Sequence, residues 1–412
     1  MKRFTPGASR AMRFALPALF GLAALPLSAL ADIVSDWNER AFRVMAGARV
    51  SGGAPLARTA AILHKAMFDA IQAASRDSAA SSPGASPEAA AHAAARRTLA
   101  DLYPSQKDGI QAAYEAAQAK LPDSAAKIAG IDVGDKAAAN FLAECQDDGF
   151  AIPETYRPTT SPGSYIPTAP TLMSHVAGIR PFSLQSVSQF RPGPPPRLDS
   201  ALWARDYNEV KELGGAKSSQ RSAWQTETAR FWEITGAEAW NQAARALLVA
   251  QPLPLKDSAR MFMTLNIANS DASLAVFDAK YHYGFWRPVT AIRNGDRDGN
   301  EATERDAGWQ PAISTPMHPE YPCAHCVQDG AAGVVLKSAF GSGPVPEFTL
   351  TYAAMPGVTR KYSTIAQLEE EVSMARIWGG VHFRNGNEVG YALGKRVAEH
   401  VLQSLSLSAA AR

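Results

Sequence analysis

Cysteine is scarce in this chain. Of 412 residues only three are cysteine: Cys323 and Cys326 form a single C-x-x-C, and Cys145 stands alone. A structural zinc site needs a second ligand pair, and none is in view. Excess charge is missing too. Basic and acidic residues number 41 and 39, a formal net charge of +2. No global field therefore attracts nucleic acid or an acidic membrane, and any anion site must come from local placement of Lys and Arg. Beyond residue 31 there is no apolar run of about 18 residues, so a soluble protein without integral membrane association is expected. Strand-like alternation is nearly absent, and no internal repeat is present. What remains is an ordinary globular composition, 46% hydrophobic and 19% charged, long enough for one large domain or two linked cores.

The first residues are of a different kind. Lys2, Arg3, Arg10 and Arg13 precede the apolar run FALPALFGLAALPLSAL, and Ala29-Leu30-Ala31 supplies an A-x-A cleavage site before Asp32. Residues 1–31 read as a secretory signal peptide, with a membrane anchor as the alternative, and the expected compartment is the periplasm or the exterior. Helical signals follow. Residues 58–74 are apolar near a 3.6-residue period. Ser86-Pro87-Glu88 opens an alanine-rich helix through about Leu102, with Ser as cap and Pro in the first turn. Further helices are expected at about 106–119 and 134–147, giving an N-terminal helical bundle over 32–150.

Residues 151–198 are too rich in Pro, Ser and Thr for regular elements. They are also too long for a neutral connector, so the segment is expected to wrap the surface or help build a pocket. Helical patterns resume at about 199–212, 220–232, 236–249, 257–281, 327–340, 365–380 and 386–405, a second bundle over 199–412. The fold class expected is all-α, as two packed helical bundles.

Three segments of the second half concentrate the unusual residues. In KYHYGFWRPVTAIR, Lys280 and Arg287 lie seven apart, two helical turns and so on one face, before Pro288 ends or kinks the helix. The bland reading is a pair of snorkelling side chains over an aromatic core. In PEYPCAHC, the N–H groups near Cys323, Ala324 and His325 would lie at a helix N-terminus, which suits an anion. A redox-active dithiol is physically reasonable there, because that position lowers the pKa of a thiol. The preceding strand of a βαβ unit is missing, however. A structural disulfide or two buried thiols would account for the cysteines and leave His325 unexplained. In ARIWGGVHFRNGNEVG, Gly379 and Gly380 lie between Arg376 and His382, and a helix breaking there could aim both side chains at one point. Together these segments hold two guanidiniums, one ammonium, helix N–H groups and two imidazoles. A tetrahedral oxyanion calls for that set: Arg grips its oxygens bidentately, Lys adds a point charge, one His attacks or ligates the central atom and the other moves protons.

The three segments resemble, in order and spacing, the signature K-x6-R-P, P-S-G-H, S-R-x5-H-x3-D shared by vanadium-dependent haloperoxidases and type 2 phosphatidic-acid phosphatases. The resemblance covers about residues 255–400 and implies a site. Lys280, Arg287 and Arg376 would hold the oxygens of vanadate or phosphate, helped by Cys323 and Ala324. His382 would bond to vanadium or accept the phosphoryl group, and His325 would serve as acid–base group. Lys280 would also polarise bound peroxide. The chain departs from the pattern at Cys323 (Ser), Ala324 (Gly), Ala375 (Ser) and Gly386 (Asp). The last removes the carboxylate that orients His382, and Asn385, Asn387 or Glu388 are the local substitutes.

The resemblance further implies hydrogen peroxide and halide as substrates with vanadate as cofactor, in an enzyme of the haloperoxidase branch. A soluble acid phosphatase acting on phosphate esters through a phosphohistidine is the alternative, and a non-catalytic oxyanion binder the third reading. The long N-terminal bundle and the aromatic run YHYGFW favour the haloperoxidase branch. Monomer and homodimer are both left open.

Overall fold

A computed structural model describes Met1 and residues 32–80, 84–154, 156–167 and 169–410. The expected signal peptide lies outside the described residues. Asp32–Arg412 form one compact unit built from helices and one small sheet, so the all-α expectation holds.

The helices begin where capping chemistry puts them. α1 (Ile33–Gly47) starts after Asp32, whose carboxylate accepts from Ser35 N. α2 spans Gly53–Ala80 and α3 spans Pro87–Leu102, the latter capped by Ser86 with Pro87 in the first turn. α4 (Lys107–Gln118) and α5 (Ala125–Glu144) follow, and Ser124 caps α5 by accepting from Lys127 N. Each cap satisfies a backbone donor that the first turn leaves without a partner. The structure extends the sequence reading here in two ways. α1 was not anticipated, because buried Asn38 interrupts its apolar face. α5 begins nine residues before the expected 134, because Gly130 and Gly134 are not breakers. A Cβ on either would come within 2.4 Å of Ser86 O or 2.2 Å of Ala90 O, so these glycines let α5 lie directly on α3.

α6 (Ala201–Leu213), α7 (Ala223–Phe231) and α8 (Gly236–Ala250) lead to α9 (Leu255–Tyr283). α9 has 29 residues and is buried almost continuously from Ser258 to Lys280, making it a central strut roughly 43 Å long. It packs against α2, α11 (Ala324–Phe340) and α13 (Arg384–Ala410), so one apolar core joins the first helices to the last. α10 (Pro288–Arg293) and α12 (Ile365–Trp378) complete the helices. A two-stranded antiparallel sheet, β1 (Phe348–Thr351) on β2 (Thr359–Tyr362), pairs Phe348 with Tyr362. Four-residue strands are too short for alternation to stand out in the sequence.

The proline-rich segment both wraps the surface and lines a cavity. Phe182, Ser183 and Leu184 donate their backbone N–H groups to the carboxylate of Asp271 on α9. Tyr165 N donates to Gly284 O, and Leu172 N to Met317 O, which brings Leu172 to the cavity wall.

Candidate oxyanion site

The first surprise is local. Lys280 and Arg287 do not share a helix face. Gly284, at φ 56°, takes the left-handed conformation and ends α9, so Arg287 becomes the residue before the first turn of α10, with Pro288 at its start. The seven-residue spacing therefore spans a turn rather than two helical turns. That turn is what allows Arg287 to reach residues 318 and 382 from a different direction than Lys280.

Three elements then converge. Arg287 donates from Nε to His318 O at 2.8 Å, from Nη1 to Val381 O at 2.7 Å, and from Nη1 to His382 Nε2 at 3.1 Å. Its Nη2 lies 2.9 Å from His318 Nδ1. Arg376, near the end of α12, donates from Nη1 to Trp232 O at 2.6 Å, while its buried Nε has no partner. α12 stops at Trp378, and Gly380 turns the chain at φ 73°, where a Cβ would come within 2.3 Å of Gly214 O. The break at the glycines thus aims Arg376 and His382 at a common cavity. Phe383 anchors the turn against Trp203, ring centroids 4.8 Å apart, in an aromatic cluster with Phe285 and Trp286.

His382 is held by a residue that the sequence reading missed. Its Nδ1 lies 2.8 Å from Glu320 Oε1, and the same oxygen accepts from Phe383 N at 3.1 Å. A carboxylate only accepts, so Nδ1 carries the hydrogen and Nε2 presents its lone pair to the site. The expected substitutes for the missing aspartate are engaged elsewhere. Asn387 donates to Ser373 O, Asn385 N donates to Asp206, and Glu388 is exposed. Gly386 explains the exchange, since a Cβ there would sit 2.5 Å from Glu320 Oε1. The carboxylate enters from the loop before α11 and fills the space an aspartate at 386 would have used.

That loop is pinned by Lys280. Its ammonium donates to the carbonyls of Pro319, Glu320 and Pro322. Lys280 therefore reaches the loop carrying Glu320 and Cys323 and is absent from the cavity wall. Cys323 caps α11, its Sγ accepting from Cys326 N at 3.2 Å. Ala324, His325, Arg376, His382 and His318 line a cavity of about 220 Å³, below the usual range for drug-sized ligands and suited to small anions. His325 Nε2 lies 3.0 Å from Ile234 O. A carbonyl also only accepts, so His325 keeps Nδ1 as its proton-accepting atom.

The electrostatics follow from burial. Lys280, Glu320, Arg287, Arg376 and His382 are each at most 2% exposed. Burial pushes the Lys280 ammonium well below its ordinary pKa, and the neighbouring Arg287 adds to this. Arg287 is brought down to about 10 for the first of these reasons, despite the opposing pull of Glu320. His382 is lowered well below the ordinary imidazole value by burial and then by Arg287 and Lys280, and His325 by burial and then by Arg376. Both rings are neutral at pH 7. Burial raises Glu320 to about 7, with Lys280 and Arg287 opposing. Cys323 is lowered to about 7: burial raises it, and the Cys326 thiol, Arg376 and Lys280 outweigh that. Among the described residues no group of three or more His, Cys, Asp and Glu side chains is arranged for a metal cation. The donor set is one for an anion.

Comparison with known proteins agrees with this architecture. Residues 260–409 match the family described as the VCPO second helical-bundle domain. The vanadium chloroperoxidase of Curvularia inaequalis is 27% identical over 267 residues, covering 51% of this chain and 42% of that protein. The chain thus spans about two-fifths of that relative's length. A bacterial vanadium-dependent iodoperoxidase superposes with a TM-score of 0.75 at 22% identity, covering 91% of this chain and 96% of that one. A holo-type bacterial vanadium-dependent chloroperoxidase superposes at 0.70 with 17% identity, covering 87% and 93%. Fold and site define an all-α protein of the vanadium-haloperoxidase architecture. Residues 260–409 carry the likeness to that family's second helical-bundle domain, and the chain as a whole shares the fold of the bacterial vanadium-dependent haloperoxidases.

Proposed function

We propose that this protein is an exported haloperoxidase that binds vanadate and oxidises halide with hydrogen peroxide. The observation that carries this reading is the 2.8 Å contact of His382 Nδ1 with the buried Glu320 carboxyl, which leaves Nε2 facing the buried guanidinium of Arg287 with Arg376 on the same cavity wall. The residues suit vanadate, because Arg376 Nε is a buried donor without a protein partner at the cavity wall. His382 Nε2 would hold the vanadium, while Arg287, Arg376 and the first N–H groups of α11 would hold its oxygens. Vanadate when bound supplies a Lewis acid that activates peroxide without changing oxidation state.

The chain's own groups do the rest. Glu320 fixes the ring of His382 and raises the basicity of Nε2. Arg376 at the cavity wall, and Arg287 behind it on His382, keep their charge in a buried setting, where it stabilises developing negative charge more than it would in solution. His325, neutral and anchored through Nε2 to Ile234 O, takes and returns a proton at Nδ1. Lys280 acts through the 319–322 loop, holding Glu320 and the start of α11 in place. Residues 1–31 would direct the chain to the periplasm or the exterior. No described helix is long and apolar enough to cross a membrane.

One preparation, assayed with and without added orthovanadate, tests the proposal. Bromination of a cyclic diketone with peroxide is followed beside hydrolysis of a chromogenic phosphate ester. Vanadate-dependent bromination is the expected result. Hydrolysis that vanadate inhibits would favour the phosphohistidine reading, since the same His382 Nε2 can attack phosphorus. Silence in both would leave an oxyanion binder.

A further inference from the structure

The proposed reaction makes no use of the second cysteine or of the acid one turn beyond it. Cys323 and Cys326 are both buried, and their Sγ atoms lie 2.6 Å apart. A formed disulfide measures about 2.05 Å, so little side-chain movement separates the pair from a bond. The two positions differ in kind. Cys323 caps α11, and its sulfur accepts from Cys326 N at the positive end of the helix, with Arg376 and Lys280 nearby. Those features stabilise a thiolate. Cys326 lies inside the first turn, and Asp329 follows three residues later on the same face. Asp329 Oδ1 accepts from Trp240 Nε1 at 2.8 Å, while its buried Oδ2 has no partner. Nothing in the packing of α11 against α13 accounts for a carboxylate left half-satisfied in the interior, where such a group is costly. Ala324 and His325, next to Cys323 in the chain, line the cavity, so a molecule as small as peroxide can approach the first turn.

We propose that Cys323 and Cys326 are a peroxide-sensitive dithiol, with Cys323 the attacking and Cys326 the resolving sulfur. Asp329 is the carboxylate that takes the Cys326 proton and hands it to the departing oxygen. The Cys323 thiolate attacks one oxygen of hydrogen peroxide. A sulfur–oxygen bond forms, the oxygen–oxygen bond breaks, and the departing hydroxide takes up the proton that the Cys323 thiol had released and leaves as water. Cys326 then attacks the Cys323 sulfur. A disulfide forms, the sulfur–oxygen bond breaks, and a second water leaves with the proton released from Cys326. Two thiols lose two electrons and one peroxide gains them, and a soluble dithiol reverses the change. The sequence argues against a thioredoxin-like unit for want of a preceding strand. The helix N-terminus and the paired sulfurs are nevertheless present without one. Cys145 serves as an internal control, because burial raises its thiol to about 11 and it has no cysteine neighbour in sequence.

The proposal leans on the haloperoxidase reading only for the presence of peroxide in the cavity, and its test needs neither vanadate nor halide. The full-length protein is reduced, desalted and exposed to a few equivalents of hydrogen peroxide. It is then denatured, alkylated and mapped by mass spectrometry. The expected result is one peptide joining Cys323 to Cys326, with Cys145 alkylated and dithiothreitol restoring all three thiols. Alkylation of both Cys323 and Cys326, or Cys323 found as sulfinic acid beside an alkylated Cys326, would overturn it. In Cys326→Ser the sulfenic acid should persist and be trapped at Cys323 by dimedone. In Asp329→Asn, with circular dichroism unchanged, closure should slow about tenfold, and an unchanged rate would remove Asp329 from the proposal. A disulfide without bromination would sink the haloperoxidase reading alone, and bromination without a disulfide would sink the dithiol alone.

Discussion

Two regions of this protein bury unlike things. Where α3 lies against α2 and α5, the interior is methyl groups and backbone. Ala89, Ala90, Ala91, Ala93, Ala94 and Ala95 are fully buried, and Gly130 and Gly134 let α5 touch α3. Around the cavity the interior is ionisable. Lys280, Arg287, Glu320, Arg376 and His382 are buried together and joined through carbonyls and one another. The first region gains stability from close packing and spends little side-chain entropy. The second costs stability, since each charge leaves water for a few fixed partners. That a fold maintains the second at all is a physical reason to place chemistry there.

The contrast breaks most sharply at His382. Replacing it with Ala should lower vanadate-dependent bromination by at least about 10³-fold, as expected for a group on which the reaction depends. The protein should remain helical by circular dichroism, and full activity in the variant would sink the assignment. Glu320→Gln comes next. An amide cannot hold the Nδ1–H tautomer as a carboxylate does, and a loss of about 10- to 100-fold is expected. Gly386→Asp alone should also fail, because its Cβ would lie 2.5 Å from Glu320 Oε1. The double variant Glu320→Ala with Gly386→Asp should recover most of the activity by returning the carboxylate to helix α13. If the double variant is no better than Gly386→Asp alone, Glu320 does not stand in for an aspartate.

These variants also mark where the sequence stops being readable. Arg376, His382 and the N-terminus of α11 follow from local rules: a helix, a glycine break and a helix start. Arg287 reaches His382 while Lys280 reaches the loop before α11 for a reason the spacing conceals, since Gly284 converts two turns of helix into a turn of chain. Glu320 could not be found by spacing from His382, because it lies 62 residues upstream and the vacancy it fills is made by a glycine. The available signal was a carboxylate between prolines immediately before the CAHC stretch. α1 stayed hidden for a related reason: Asn38 breaks its apolar period, and its polar partners, His64 and Asn241, come from distant helices.

The alanine region should respond in the opposite sense to the site. Gly134→Ala places a Cβ about 2.2 Å from Ala90 O, and should destabilise the fold by about 1–3 kcal/mol through overpacking. Activity per folded molecule should be unchanged. Thermal unfolding together with the bromination assay checks both halves, and a loss of turnover without a loss of Tm would contradict the division.

The last effect is one of pH, partly cancelled by an opposing group, and it tests whether buried polar groups outside the cavity are there for structure alone. His64 sits between α1 and α9, with Asn38 Nδ2 2.8 Å from its Nε2 and Phe262 stacked on its ring. Burial lowers its pKa to about 3, with Arg245 adding to the effect. Between that value and the ordinary 6.5 the unfolded chain binds a proton that the folded chain refuses, so stability is present above 6.5 and lost as pH falls. The loss is up to about 5 kcal/mol at 1.36 kcal/mol per pH unit. Asp271 works the other way. Burial raises it to about 6, so its ionisation costs stability as pH climbs from 3.8 through 6, and the net acid sensitivity is smaller than His64 alone would give. His64→Gln keeps an acceptor for Asn38 and removes the titration. The variant's stability should therefore vary less than the wild type's between pH 6.5 and 4 in denaturant melts. Parallel curves for the two proteins would mean that the acid sensitivity comes from elsewhere in the core.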